Sequence, residues 1–473
     1  MTQHARPHES ASEIRQGGLE RLAYGFTAWA EKWFPDAFVF VVLTLLAVAA
    51  ADLAMGAAPP AIANEFGAGF WSLIPFTMQM SMVVIAGYVV AASPPCARLI
   101  DRLTLVPRSG PQAVAFVALV SMVSSFFNWA LSLVLGGLLV RALARRADLG
   151  MDYRAGGAAA YLGLGATWAL GLSSSSAMLQ ANAASMPKSI SDITGVIPLS
   201  QTIFLPQSML MAAILLASAV LVAYLSAPRG DRVKTAADLG CDISADSVVA
   251  ETQTRPGDWF EFNPILPVLI VVLAAGFIWS EFASKGPLNA ISNLNTYNFI
   301  FLMIGLLLHG TIRSFLRAVS KAVPACAGVL IQFPFYGAIA GLLTHVNGAA
   351  GHSISHYISN LFVSIATTDT FPVVIGVYSA ILGFLVPSGG GKWIIEAPYV
   401  MQAAKDLHAH MGWAVEVYNA AEALPNLINP FWMLPLLGVL GLKAKDIVGF
   451  CFTQLLFSAP LVLLLLWGLA KTL

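Results

Sequence analysis

Predominantly apolar stretches about as long as a bilayer is thick, such as Ala37 to Leu53, Ser208 to Leu225 and Ile447 to Ala470, recur along almost the whole chain. A helix crossing the hydrocarbon needs roughly 20 such residues. Inside lipid the backbone N–H and C=O groups must be satisfied within the protein, which a helix does by itself. No soluble core accommodates this balance: 58% of the 473 residues are hydrophobic and 11% are charged. The expected fold is therefore an all-α polytopic membrane protein, with spans near 36–54, 70–92, 156–185, 208–226, 264–282, 298–316, 322–345, 412–441 and 447–470. The formal net charge is zero. Charge thus informs only by position, and nothing in it points to a nucleic acid.

The four cysteines, Cys96, Cys241, Cys326 and Cys451, are scattered, without a CxxC pair or metal-ligand spacing. Free thiols, no metal site and no catalytic centre are expected. The first 35 residues are polar and lack the apolar core of a secretory signal, so the first span is expected to act as the targeting signal. Trp29 and Trp33 ahead of it are residues of the membrane interface.

Two further apolar segments, about 112–140 and 371–404, carry polar or glycine residues at their centres. Arg98, Arg102 and Arg108 precede the first, and Arg141, Arg145, Arg146 and Arg154 follow it. Basic loops favour the cytoplasm, so both ends of this segment are expected there and the segment reads as a re-entrant hairpin. Arg229, Arg232, Lys234, Arg313, Arg317, Lys321, Lys443 and Lys445 fall on the same side, while the second segment begins and ends outside. Hairpins entering from opposite faces are what an inverted-topology repeat produces. The expected organisation is a cytoplasmic segment 1–35, a first transmembrane repeat 36–226, a cytoplasmic linker 227–262 and a second repeat 263–473. The N-terminus is then cytoplasmic and the C-terminus external. A short interfacial helix is expected within 346–370, and Asp369 is expected to cap the hairpin after it.

Each repeat contains two breaks, one in its hairpin and one in the next span. They are VSSFFNWALS (Val123 to Ser132) with LGLSSSSAMLQANAAS (Leu170 to Ser185), and VPSGGGKWIIEAP (Val386 to Pro398) with YNAAEALPNLINPFW (Tyr418 to Trp432). Pro387, Pro398, Pro425 and Pro430 oppose continuous helices there. A helix restarting in mid-membrane presents N–H groups and a positive dipole end, which suit a carboxylate. Gly389, Gly390 and Gly391 allow close backbone approach, and Ser388 with Ser173, Ser174, Ser175 and Ser176 offers hydroxyls. Asn128, Asn426 and Asn429, with freed carbonyls, suit a substrate or a sodium ion. Against these readings stand helix packing for the glycines and back-bonding to the preceding turn for the serines. Lys392 and Glu396 are four residues apart and either pair with each other or act directly, the lysine as counter-charge to a carboxylate and Glu396 as a proton carrier. Glu422 is a second proton-carrier candidate. His309 and His345 read as interfacial or hydrogen-bonded histidines.

GGGKW is not a phosphate-binding loop, because the earlier glycine is missing and Trp393 stands where a hydroxyl is required. With no nucleophile elbow or zinc-protease motif either, the sequence reads as a gradient-driven carrier, not an enzyme.

The stretches VPSGGGKWIIEAPYVM, DTFPVV, LIQFPFYGAI, LLLHGTIRSFLRAVS, SSFFNWALSL and NPFWMLPLLGVLGLKAKDIVGF resemble the bacterial short-chain fatty acid transporter family, linked to acetoacetate and butyrate uptake. The likeness runs from about Trp33 to the C-terminus. It implies membership of the ion-transporter superfamily, a small carboxylate substrate, a coupling H⁺ or Na⁺ with no other cofactor, an elevator-type mechanism, a homodimer and the bacterial inner membrane. It points to Ser388 to Lys392, to Asn128 and to Asn426 to Asn429. Where the family is rich in glycine, this chain has serines at 173–176, a difference that bears on the acid preferred. A dicarboxylate or amino-acid-like anion carrier, a passive anion channel and a ligand sensor without flux are the other readings.

Overall fold

The computed structural model describes residues 37–243, 253–386 and 388–473. Trp29, Trp33 and Pro387 lie outside the described residues, among which no strand occurs. The first half opens with α1 (Ala37–Ala54), α2 (Pro59–Ser72) and α3 (Ile74–Ala91). α2 was not expected, because Glu65 and two glycines lower its hydropathy. It folds because Pro59 and Pro60 preset the first turn and Gly69 lets it lie against α16, where an added Cβ would stand 2.7 Å from the Gly337 carbonyl oxygen. After α4 (Pro94–Leu103) come α5 (Gly110–Phe127) and α6 (Trp129–Ala144). These form a tight antiparallel hairpin, with the hydroxyls of Ser121 and Ser132 3.0 Å apart. α7 (Tyr153–Leu162) loosens into a π turn, Gly163–Thr167, and a 3-10 turn, Trp168–Leu170. The chain leaves helix at 171–174, resumes as α8 (Ser175–Gln180) and α9 (Lys188–Thr194), and closes the half with α10 (Pro206–Ser226).

The second half contains α11 (Asp258–Phe262), α12 (Ile265–Lys285), α13 (Pro287–Ser292), α14 (Leu294–His309), α15 (Ile312–Ala322), α16 (Ala327–His345) and α17 (Ile354–Ile365). The span expected over 298–316 ends at His309, because Gly310 adopts φ 69° and terminates the helix. α18 (Phe371–Leu385) and α19 (Gly389–Asp406) form the second hairpin, followed by the broken pair α20 (Met411–Asn426) and α21 (Pro430–Leu440) and by α22 (Ala444–Ala470). Hairpin, broken helix and long helix thus occur twice in the same order. Two expectations need correction. Pro398 lies inside α19 without ending it, as neighbouring helices in a bundle tolerate. Asp369 does not cap α18: Thr367 and Thr370 bond each other instead.

The basic loops gather at one end of the bundle. Arg146 donates to the carbonyls of Thr104 and Pro107, the Asp152 carboxylate accepts from the Lys234 backbone, and Arg313 pairs with Glu261 at 2.5 Å. The two ends of the α5–α6 hairpin lie here. The two ends of α18–α19 are joined to each other, where the Thr368 hydroxyl donates to the Leu407 carbonyl at 2.7 Å.

Helices pack in two groups. α1, α2 and α3 assemble with α12, α14, α15 and α16, while both hairpins assemble with α7, α10 and α20 to α22. The groups meet where α3 lies on α6 and where α16 and α17 lie on α19.

Candidate functional site

Asn128 makes the first hairpin turn. Its extended backbone, φ −158° and ψ 124°, breaks the helix, and its side-chain oxygen accepts from the N–H groups of Ala130 and Leu131 at 2.9 and 3.0 Å. The amide nitrogen donates to the Val83 carbonyl of α3 at 3.0 Å, joining the turn to the other helix group. Tyr297 of α14 adds a hydrogen bond to the Phe127 carbonyl. Cap and anchor together leave little of this side chain for any other partner.

Ser388 makes the second turn in the same way, accepting from Gly391 N–H at 3.2 Å. The three glycines after it are required by packing. A Cβ on Gly389 would lie 2.1 Å from the Trp168 ring, one on Gly390 3.0 Å from Ser175 Cβ, and one on Gly391 2.1 Å from the Tyr336 ring. Phe76 of α3 also faces Gly390. The tip is thus enclosed by aromatic rings from the opposing group, Phe76 and Tyr336, and by the first-half break.

That break is held from the second half. Ser174 caps α8 and donates to Asn419 Oδ1 at 3.1 Å, and Ser176 donates to the same oxygen. Asn419 in turn donates to the buried carboxylate of Glu416 at 2.9 Å. The fourth break lies between Asn426 and Pro430. There the Tyr161 hydroxyl donates to the Asn426 carbonyl at 2.6 Å, and Trp129, first residue of α6, meets Trp432 edge to face at 5.6 Å. All four breaks therefore converge.

Lys392 lies in the centre of this region with no exposed surface. Its ammonium is 2.9 Å from Glu396, 2.7 Å from Glu422 and 2.8 Å from the Ser379 carbonyl, and it lies 4.4 Å from the centre of the Tyr418 ring. Both carboxylates are fully buried too, and Ser379 donates to Glu396. The choice left open by the sequence between a pair and a free lysine is resolved into a triad. It pairs one cation with two anions in a medium where unpaired charge is costly.

The structure brings together Ser388 to Lys392, Ser173 to Ser176, Glu396, Glu422 and Asn426, with Asn128 and Asn429 at the neighbouring breaks. Trp168, Tyr336, Phe76 and Glu416 were not anticipated. Glu416, Asn419 and Glu422 recur at three-residue spacing in an apolar span, a signal that was available. The aromatic residues gave none, since they look like any packed or lipid-facing ring. His309 is hydrogen-bonded as expected, to Ser314 at 2.8 Å and to the Val89 carbonyl at 2.9 Å.

The family described as short chain fatty acid transporter matches residues 18–469. A protein of Escherichia coli (strain K12) named as a short-chain fatty acid transporter is 33% identical over 442 residues, covering 93% of this chain and 97% of its own. One of Haemophilus influenzae with the same name is 31% identical over 464 residues, covering 95% and 100%. Among solved structures, the fold resembles the Alcanivorax borkumensis YdaH transporter, whose topology is described as unusual, with a TM-score of 0.59 and 14% identity over 93% of this chain and 98% of that one. It also resembles Neisseria gonorrhoeae MtrF, described among antimetabolite efflux pumps, with a TM-score of 0.56 and 13% identity over 94% and 96%. At such identity the likeness shows the fold alone.

Proposed function

Since the chain belongs to the short-chain fatty acid transporter family, we propose that this multi-pass membrane transporter carries short-chain monocarboxylates such as butyrate or acetoacetate by proton symport. The observation that carries the reading is the placement of the Ser388–Gly391 tip. It lies between rings of one helix group, Phe76 and Tyr336, and the serine break of the other. An acid with a polar head and a short apolar tail needs both surfaces, and a site between two bodies is exposed to alternate sides when one slides past the other. That sliding is an elevator-type motion of the hairpins with α7, α10 and α20 to α22 against α1 to α3 and α12 to α16.

The triad favours the proton over sodium. Fully ionised, it carries one excess negative charge in a dry interior, and one proton on a carboxylate removes it. Lys392, engaged by both glutamates, is then part of the coupling device and not a free counter-charge for the substrate. The α6, α19 and α21 starts, with Asn128, Asn426 and Asn429 nearby, line the path of the acid. The same proposal includes a re-entrant position for both hairpins, the bacterial inner membrane with the basic end and N-terminus in the cytoplasm and the C-terminus outside, and a homodimer, which crosslinking in native membranes tests.

Uptake of labelled butyrate into proteoliposomes under separately imposed proton and sodium gradients tests the function. Saturable accumulation driven by the proton gradient and weakened in Ser388→Ala is expected. Accumulation driven by sodium alone would overturn the coupling. No accumulation would turn the reading to a dicarboxylate carrier, and unsaturable current to a channel.

A further inference from the structure

Two buried hydrogen-bond donors at the first-half break have no acceptor among the described residues: the indole N–H of Trp168 and the hydroxyl of Ser173, in residues 5% and 3% exposed. Buried donors are nearly always paired, and leaving one unmade costs about 1–3 kcal/mol. Their neighbours are fully employed, Ser174 as a cap and both Ser174 and Ser176 on Asn419. The π turn just before Trp168 is an irregularity of the kind that marks functional positions.

The ring of Trp168 packs directly on Gly389, the first residue of the 18-residue helix α19. The first turn of a helix has N–H groups with no partner inside the helix. Ser388 takes that of Gly391. Indole, hydroxyl and helix start are all donors, and none is a cation. Donors of this kind suit a carboxylate, an acceptor-only group.

We propose that Trp168 is a specificity-determining residue of this transporter. Its N–H and the Ser173 hydroxyl, with the first turn of α19, hold the substrate carboxylate, and its ring bounds the acyl chain. The assignment rests on the monocarboxylate reading above and extends it to a residue whose apolar surroundings give no sequence signal. Trp168→Phe removes the donor and keeps an aromatic wall, Ser173→Ala removes one oxygen, and Trp168→Ala removes donor and wall.

The test is butyrate uptake in proteoliposomes of the full chain, with unlabelled acids from acetate to octanoate as competitors. Loss of one hydrogen bond to a charged group is worth roughly ten- to hundredfold in affinity. Trp168→Phe and Ser173→Ala should each raise KM by about that factor while kcat stays within about twofold. Trp168→Ala should in addition improve hexanoate relative to butyrate by about tenfold, on the scale of opening an apolar pocket. If Trp168→Phe lowers Tm, the smaller change Ser173→Ala decides the matter. Unchanged KM in the variants, with wild type accumulating butyrate, overturns the carboxylate seat alone. A wild type that accumulates no monocarboxylate overturns the parent reading and the seat with it.

Discussion

The hairpin α5–α6 is held by neutral groups and the hairpin α18–α19 by charges. In the first, Ser121 donates to the Ala160 carbonyl at 2.5 Å, Ser125 lies 3.0 Å from Thr167, and Asn128 ties the turn to α3. In the second, an ammonium bridges two carboxylates with no exposed surface. Neutral hydrogen bonds contribute about 1 kcal/mol each and can be lost singly. A buried ion pair stabilises little as a whole, yet losing one partner is severe. The same topology thus yields one hairpin with graded tolerance and one with all-or-none dependence on its partners.

The largest effect expected is therefore at Lys392. Lys392→Met leaves Glu396 and Glu422 buried without a counter-charge and should cost about 3–5 kcal/mol, against about 1 kcal/mol for Ser121→Ala in the first hairpin. Thermal unfolding in detergent measures both. Adding Glu396→Gln and Glu422→Gln to Lys392→Met should restore most of the stability without restoring gradient-driven uptake. Equal losses in the two single variants would break the comparison.

Glycines separate the hairpins next. Gly389→Ala and Gly391→Ala place a methyl group 2.1 Å from the rings of Trp168 and Tyr336, an overpacking worth about 1–3 kcal/mol. Gly136→Ala in α6 meets Ala160 Cβ at 3.1 Å, and the gain in helix propensity of up to about 1 kcal/mol offsets that mild contact. Tm should fall for the first two and stay nearly constant for the third.

Much of this was legible because the segments concerned violate a rule of the bilayer. Asn128, Ser388 and the serine run are polar where lipid demands apolar residues. Lys392 and Glu396 are neighbours on any helix. What the sequence withheld depends on tertiary contact. Glu422 joins Lys392 from another helix, and Trp168, Phe76 and Tyr336 reach the glycines from three separate elements. Glu65 concealed α2, and Gly310 ended α14 earlier than hydropathy implied. Pro398 does not end a helix that is surrounded by others.

The caps give a smaller contrast. Asn128 serves two N–H groups and a carbonyl of the other helix group, while Ser388 serves one N–H. Asn128→Ala should cost about 1–2 kcal/mol and Ser388→Ala about 0.5–1 kcal/mol. A larger stability loss at Ser388 would mean that the charged hairpin also relies on its turn, erasing the distinction drawn above.

The smallest effect lies outside both hairpins and supplies a reference for them. Asp258 at the start of α11 accepts from the N–H groups of Thr254 and Arg255 at 2.7 and 2.9 Å and from the Arg255 side chain at 3.0 Å. These donors, the backbone pair first, hold its carboxyl down from the usual 3.8 to about 2. A carboxyl depressed in the folded state contributes stability that is fully present above its unfolded pKa and is lost as pH falls through the folded one. Tm should accordingly decline between about pH 4 and pH 2, and Asp258→Asn should flatten that part of the curve. Distant sites act additively. The decline attributable to Asp258 should then be the same in the Asn128→Ala and Lys392→Met backgrounds. Unequal Asp258 contributions in the two backgrounds would show that this reference site is coupled to the hairpins.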